Sequence, residues 1–495
     1  MTTTFQQSTS GTADLVAIDA LVPAGAYRSP AREVIRDTAG AAVAELSMVQ
    51  PASISRTIDA QRNVRPLPVA QRRAALHKAA EIFANSVIAG LDFEQYVALA
   101  SRVSGLPIGV TRAGAHDVAA ALITAFDVVW HARPAGAVFD WREERTRWGC
   151  AVWARRGEVF AVHAPGNTPR IHGLWLQALA LGYRVAIRPS RREPFTAHRL
   201  IVALRHAGFR PEDAVYLPTD HAGADEIIAA ADLAMVYGGQ DVVDKYADDP
   251  TLITNGPGRT KILITAEVDW REFLDGIVDS IANLGGMRCV NATAVLYEGD
   301  PAPLAQAIAE RLSTIEALPN GDERAILPTQ PLAKAQALVT YLRARAVGTT
   351  PVLGADQVLA DLGDGSAALR PAVHLLATPD IAKLNTELAF PCVWISPWSR
   401  SDGIEPLRQS LVLNAITTDE DLIDDLVNEP TVTNVYRGHH RTYYTTPTTP
   451  HDGYLADFLM RNKGFIRTDI NQHHAKLADR PKRQAGPNDP LGVGG

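Results

Sequence analysis

The sequence predicts an α/β chain built on parallel sheets. Three observations carry that expectation. From residue 158, strand-like runs alternate with amphipathic segments of helix length, the pattern of right-handed βαβ units. A second alternation of the same kind begins near residue 257. The composition, 46% hydrophobic and 21% charged over 495 residues, supplies apolar material for more than one core.

The elements follow in order. The polar first dozen residues are expected to be loose. The stretch MTTTFQQSTSGTADLVAIDA lacks a basic region and a long apolar core, so it does not read as a signal peptide. Helical periodicity runs through residues 69–130, as in QRRAALHKAAEIFANSVIAGL and AGAHDVAAALITAF. Residues 133–156, RPAGAVFDWREERTRWGCAVWARR, break it and read as a hairpin or extended arm. Then come strand EVFAVHA, helix PRIHGLWLQALALG, strand YRVAIRPS, helix PFTAHRLIVALRHAG, strand DAVYLPT, helix DHAGADEIIAAA and strand LAMVYGG. A nucleotide would bind at the carboxyl ends of such strands. No GxGxxG follows the first of them, so the usual dinucleotide fingerprint is missing. In the second block TKILIT, NATAVLY, AVHLLA and CVWISPW read as strands, with a helix over 271–284. The polar, Pro/Gly-rich end, 470–495, reads as a flexible tail.

Several functions are excluded at this level. A formal net charge of −7 implies no general affinity for nucleic acid or anionic membranes. No unbroken run of 18 apolar residues is present, so no membrane span is expected. Three widely spaced cysteines, Cys150, Cys289 and Cys392, make no disulfide framework and suit a reducing, cytoplasmic setting. The 14 histidines show no metal-ligand spacing.

NLGGMRCVNATAVLY places Cys289 between a glycine pair and a strand. The residues alone leave two readings open. Cys289 is a small buried hydrophobe, the common fate of a free cysteine, or a nucleophile whose glycines let backbone approach a substrate.

Separated pieces, in one order, resemble the aldehyde dehydrogenase superfamily over about residues 70–465. APGNTP resembles its loop with an oxyanion-binding asparagine, here Asn167. AIRPSR resembles its adenosine-ribose segment, and VYGGQDVVDKY its pyrophosphate turn. GGMRC resembles the segment ending in the catalytic cysteine. TELAFP resembles the segment whose glutamate, here Glu387, holds the nicotinamide ribose. TNVYRG resembles the late strand near the oligomer interface. The resemblance implies a Rossmann-like cofactor domain over 1–132 and 157–256 and a catalytic domain over 257–430. It also implies a small β oligomerisation element from 133–156 and 431–446, in a homodimer or higher homo-oligomer. Cys289 and Asn167 become the catalytic candidates. Arg188, Ser190, Arg191, Gly238, Gly239 and Glu387 become cofactor residues. His172 and Trp175, three apart on one helix face, become candidates for lining the acyl tunnel. Cys150 and Cys392 read as inert structural thiols.

The departures from the family pattern point to the chemistry. Hydrolytic members carry a water-activating glutamate where this chain has Asn255 in TNGPGRTK, and an amide cannot take a proton from water near neutral pH. The acyl-CoA reductases of bacterial bioluminescence and the CoA-acylating members lack that glutamate too. The expected reaction is therefore reduction of an acyl thioester, on coenzyme A or a carrier protein, to an aldehyde through an acyl-cysteine. Oxidation of an aldehyde to an acid is the alternative, and a non-catalytic scaffold of the same fold the third. Arg188, Arg191 and Arg192 form a cationic cluster suited to a 2′-phosphate. NADP(H) is the expected cofactor, with NAD(H) allowed and no metal.

Overall fold

Two seven-stranded sheets, each largely parallel, organise the molecule. The computed structural model describes residues 15–450 and 453–467. The expected loose N-terminus and the 470–495 tail lie outside the described residues.

The first sheet grows outward from Val159–His163. The chain passes to one side through Arg184–Arg188 and Ala214–Tyr216, then returns to the other side as Leu233–Tyr237 and Leu252–Asn255, all parallel. The direction of winding reverses beside Val159–His163, which opens a crevice at the carboxyl ends of Val159–His163 and Leu233–Tyr237. All five positions of Val159–His163 are buried. Helices cover both faces, which is why these strands read as continuous apolar runs. Helices Val69–Asn85, Ile108–Ala132 and Phe195–Ala207 pack on one face, and Pro51–Arg62 and His221–Ala230 on the other. A short hairpin, Ala20–Val22 and Gly25–Tyr27, adds two antiparallel strands at the edge.

Helix Ile108–Ala132 meets the length and hydropathy of a membrane span. The search for an unbroken apolar run passed over it because Arg112, His116, Asp117 and Asp127 interrupt it. Its Ala115, Val118, Leu122, Ala125, Phe126 and Val129 are buried in the first core, so it is accounted for as a core helix.

The second sheet runs Thr350–Leu353, Ala372–Leu375, Cys392–Pro397, Ala292–Tyr297, Thr260–Ile264, Ser410–Ile416, Val432–Arg437. Only the first pairing is antiparallel. The predicted helix over 271–284 begins as the 3₁₀ turn Trp270–Phe273 and continues as Leu274–Ala282.

The expected bridging element assembles differently. Cys150–Arg155 pairs parallel with Ala137–Val138, so 133–156 is not a hairpin. Its other partner is Met460–Phe465 rather than 431–446. Val432–Arg437 instead closes the second sheet, because helix Glu420–Asn428 returns the chain parallel to Ser410–Ile416.

Candidate active site

Cys289 ends a turn of unusual backbone. Leu284, Gly285 and Gly286 all have positive φ, +50°, +86° and +66°, a region open to glycine and strained for leucine. Gly286 also presses on the second sheet: a methyl group there would lie 2.8 Å from Pro391 Cα. The turn is held by Asn291, whose side chain is buried at the mouth of strand Ala292–Tyr297. Asn291 Oδ1 accepts from the Arg288 N–H at 2.9 Å, and Nδ2 donates to the carbonyls of Ser280 at 3.1 Å and Asn283 at 3.0 Å. The Thr260 hydroxyl donates to the Cys289 carbonyl at 2.7 Å, and the Thr442 hydroxyl to the Val290 carbonyl at 2.6 Å. Cys289 remains half-buried at the end of this framework. Cys392 is fully buried, and burial pushes its thiol pKa up, as an inert structural thiol requires.

Asn167 comes from the other sheet, on the loop after Val159–His163. That loop settles on helix Ile108–Ala132 through two glycines. A methyl group on Gly114 would lie 3.1 Å from Pro169 Cδ, and one on Gly173 would lie 2.8 Å from Ala121 Cβ. The segment predicted as one helix splits into the 3₁₀ turn Pro169–Gly173 and helix Leu176–Leu181. Asn167 Oδ1 is buried without a hydrogen-bond partner among the described residues.

The two loops meet at a cavity of about 280 Å³ lined by Cys289, Asn167, Arg288, Arg170, Asp117 and Gln177 among others. His172 and Trp175 do not line it. Both are buried in the first core, where the Trp175 indole N–H donates to His172 Nδ1 at 3.2 Å. Burial lowers the His172 pKa to about 4, so the ring is neutral. The two residues do share a face, but it is the face turned to the core. Arg170 and Gln177, on either side of the pair, and Leu174, between them, line the cavity instead.

Asn255 and Glu387 flank the Gly-Pro-Gly turn that backs the cysteine. A methyl group on Gly258 would fall 1.8 Å from the Cys289 carbonyl oxygen, so only glycine fits there. Glu387 Oε1 accepts from the Arg259 N–H at 2.7 Å. Burial raises the Glu387 pKa, and hydrogen bonds from Arg259 and Gly258 oppose the rise. In this structure Glu387 therefore braces the turn. Arg259, at φ +47°, bridges Gln240 and Gln409 at 2.6 Å each. Beneath the turn the Lys261 ammonium donates to Arg408 O and Ser410 Oγ at 2.9 Å, and burial lowers its pKa to about 7. Asn255 Nδ2 is buried with no partner among the described residues.

At the crevice of the first sheet, Arg188 ends its strand and burial lowers its pKa. His163 is held neutral by burial, its pKa lowered to about 3. His163 Nε2 and Arg188 Nε are both buried and unpaired among the described residues, leaving polar capacity where a nucleotide would lie. Ser190 Oγ accepts from the Arg192 N–H at 3.2 Å. Gly238 donates its N–H to Asn255 O at 3.1 Å, and Gly239 caps the short helix Gln240–Lys245. The cationic cluster is less open than expected: Arg191 Nε lies 3.1 Å from Glu33 Oε2, and Arg188 feels Asp220, Asp225 and Glu33. Glu33, Asp117, Arg170, Arg288 and Asn291 were not singled out from sequence. Only Arg288, next to Cys289, and Asn291, a polar residue entering an apolar strand, carried a local signal.

Comparisons with known proteins agree with this architecture. The model of the aldehyde dehydrogenase family matches residues 27–409. The aldehyde-dehydrogenase-like protein y4uC of Sinorhizobium fredii is 25% identical over 128 residues, and that match spans 25% of each chain. Among solved structures, the aldehyde dehydrogenase KauB from Pseudomonas aeruginosa superposes with a TM-score of 0.77 at 14% identity, covering 90% of this chain and 95% of that one. An indole-3-acetaldehyde dehydrogenase complexed with NAD+ gives 0.76 at 15% identity, over 90% and 95%. A 1-pyrroline-5-carboxylate dehydrogenase from Thermus thermophilus gives 0.75 at 15% identity, over 91% and 92%. At such identities these structures speak to the fold alone.

Proposed function

Because this chain belongs to the aldehyde dehydrogenase family, we propose that it is a nicotinamide-dependent oxidoreductase that interconverts an aldehyde and an acyl group carried on Cys289. One observation carries this reading: Cys289 and Asn167, from different sheets, share the wall of one cavity. Attack of the Cys289 thiolate on a carbonyl carbon yields a tetrahedral oxyanion. Neither Asn167 Nδ2 nor the Cys289 N–H donates to another group among the described residues, while the buried, unpaired Asn167 Oδ1 is an acceptor and takes no part in holding the oxyanion. Both donors are free to receive that oxygen. One such donor is worth a factor of about 10²–10³ in rate. A nicotinamide, when bound, supplies or accepts the hydride that separates the aldehyde and acyl oxidation levels. Residues around His163, Arg188, Ser190 and Gly238–Gly239 would hold it. Glu33 lies beside the Arg191 Nε, so it would compete with a 2′-phosphate for that guanidinium and weaken a preference for NADP(H).

For release of the acyl group, we propose exchange with a thiol, on coenzyme A or a carrier protein. Asn255 offers water no base, so the acyl-cysteine persists until a thiol or the reductant meets it. Hydrolysis to the acid is the second reading. Two observations favour it: a carboxylate, Asp117, lines the same cavity, and the solved proteins of similar fold named above are aldehyde dehydrogenases. Asp117 lies 3.2 Å from Arg170, an ion pair that opposes its use as a base. The test is purified protein with an aldehyde and NAD(P)⁺, with and without coenzyme A, the products read by mass spectrometry. Acyl-CoA made only when the thiol is present supports thioester chemistry, and free acid made without it establishes hydrolysis.

A further inference from the structure

We infer that the acyl pocket is built for a chain ending in a carboxylate, which the Arg288 guanidinium receives. This rests on Cys289 being the acyl carrier, as proposed above. Arg288 lines the cavity beside Cys289. Among the described residues, no carboxylate lies within ion-pair distance of it. Its side-chain partners are neutral: Nη1 donates to Asn283 Oδ1 at 3.2 Å, and the guanidinium lies 5.7 Å from the Tyr443 ring centroid. The acid on that side, Asp279, is already engaged by the Arg441 guanidinium at 2.6 Å and the Tyr443 hydroxyl at 2.5 Å. The second cation, Arg170, is matched by Asp117. Among the described residues, and with Cys289 counted as a thiol, the cavity wall carries one positive charge in excess, and that charge is on Arg288.

A cation withdrawn from water without a counter-ion is unfavourable. Burial and the like charge of Arg170 pull the Arg288 pKa down to about 10. A ligand carboxylate supplies the missing charge and matches the planar fork of the guanidinium in two parallel hydrogen bonds. An unsubstituted fatty chain would lie against the same cation with nothing to pair it.

Two alkylating agents of nearly one size read this charge without any turnover. Iodoacetate is an anion and iodoacetamide is neutral. Any effect of Arg288 on the thiolate fraction of Cys289 cancels in the ratio of their rates. The full chain is treated with each, and modification of Cys289 is followed by peptide mass spectrometry. The expected iodoacetate-to-iodoacetamide ratio exceeds that of free cysteine by about tenfold at low salt, is kept in Arg288→Lys and is lost in Arg288→Met. A wild-type ratio equal to that of free cysteine overturns the inference even if Arg288→Met fails to fold. A kinetic arm compares succinic semialdehyde with butanal, where kcat/KM should favour the acid by about tenfold. Equal or reversed preference overturns the inference while leaving the reaction intact. An anion-favouring alkylation ratio with no turnover of any aldehyde or thioester would remove the proposed reaction and leave the charged pocket standing.

Discussion

The loop that carries Cys289 and the loop that carries Asn167 face one cavity, yet they are built in opposite ways. The backbone around Cys289 is tied down by hydrogen bonds, although the Cys289 N–H and Asn255 Nδ2 have no partner among the described residues. Asn291 makes three hydrogen bonds, Thr260 and Thr442 hold consecutive carbonyls, and Gly258 and Gly286 let neighbouring backbone close on the turn. Around Asn167 the seating is steric. Gly114 and Gly173 let the loop lie on a helix, while Asn167 Oδ1 and Gln177 Oε1 stay unpaired. A buried polar atom without a partner costs about 1–3 kcal/mol. The Cys289 turn is thus held by the protein's own hydrogen bonds, while the Asn167 side of the cavity leaves two acceptor oxygens unpaired among the described residues.

Four substitutions break or sharpen that contrast. Cys289→Ala removes the acyl carrier, and turnover should fall by roughly 10⁴-fold or more with the fold intact by circular dichroism. Residual turnover within about tenfold of wild type would place the chemistry elsewhere. Asn167→Ala should lower kcat by about 10²–10³ without lowering the melting temperature, since the side chain makes no hydrogen bond among the described residues and its unpaired buried oxygen is removed. A large loss of stability would contradict the unpaired amide. Asn291→Leu should do the reverse in kind. Denaturant titration should show about 1–3 kcal/mol of lost stability, with Cys289 alkylation altered because its turn is released. Glu33→Gln should act least. Freeing Arg191 should shift the NADPH-to-NADH ratio of kcat/KM toward NADPH by about threefold, the scale of one exposed ion pair. No shift would mean that Arg191 does not reach the cofactor.

The helix between the two loops shows how far periodicity carries. Three-residue spacing correctly put His172 and Trp175 on one face, and it was silent on which way that face turns. The core took them: Trp175 is fully buried with its N–H on His172, and Arg170 and Gln177 went to the cavity. The segment 431–446 shows the same limit. Its strand character was legible, its partner was not. Helix Glu420–Asn428 brings Val432–Arg437 to the second sheet, while Met460–Phe465 pairs with Cys150–Arg155. The cationic cluster at 188–192 was legible as charge, but its counter-ion, Glu33, lies far back in the chain.

The sequence by itself determined the alternation of strands and helices, the parallel sheets, the cysteine in its glycine turn and the asparagine ahead of the Gly-Pro-Gly turn. Each is written within a few neighbouring residues, where periodicity, backbone freedom and functional-group chemistry act locally. Only the tertiary structure decided which charges meet. It paired Arg191 with Glu33 and Arg170 with Asp117, turned Glu387 onto the Gly258–Arg259 backbone, and gave Arg288 no ion-paired acid among the described residues. Electrostatic partners are chosen by distance in space, and that distance exists only once the two sheets have packed.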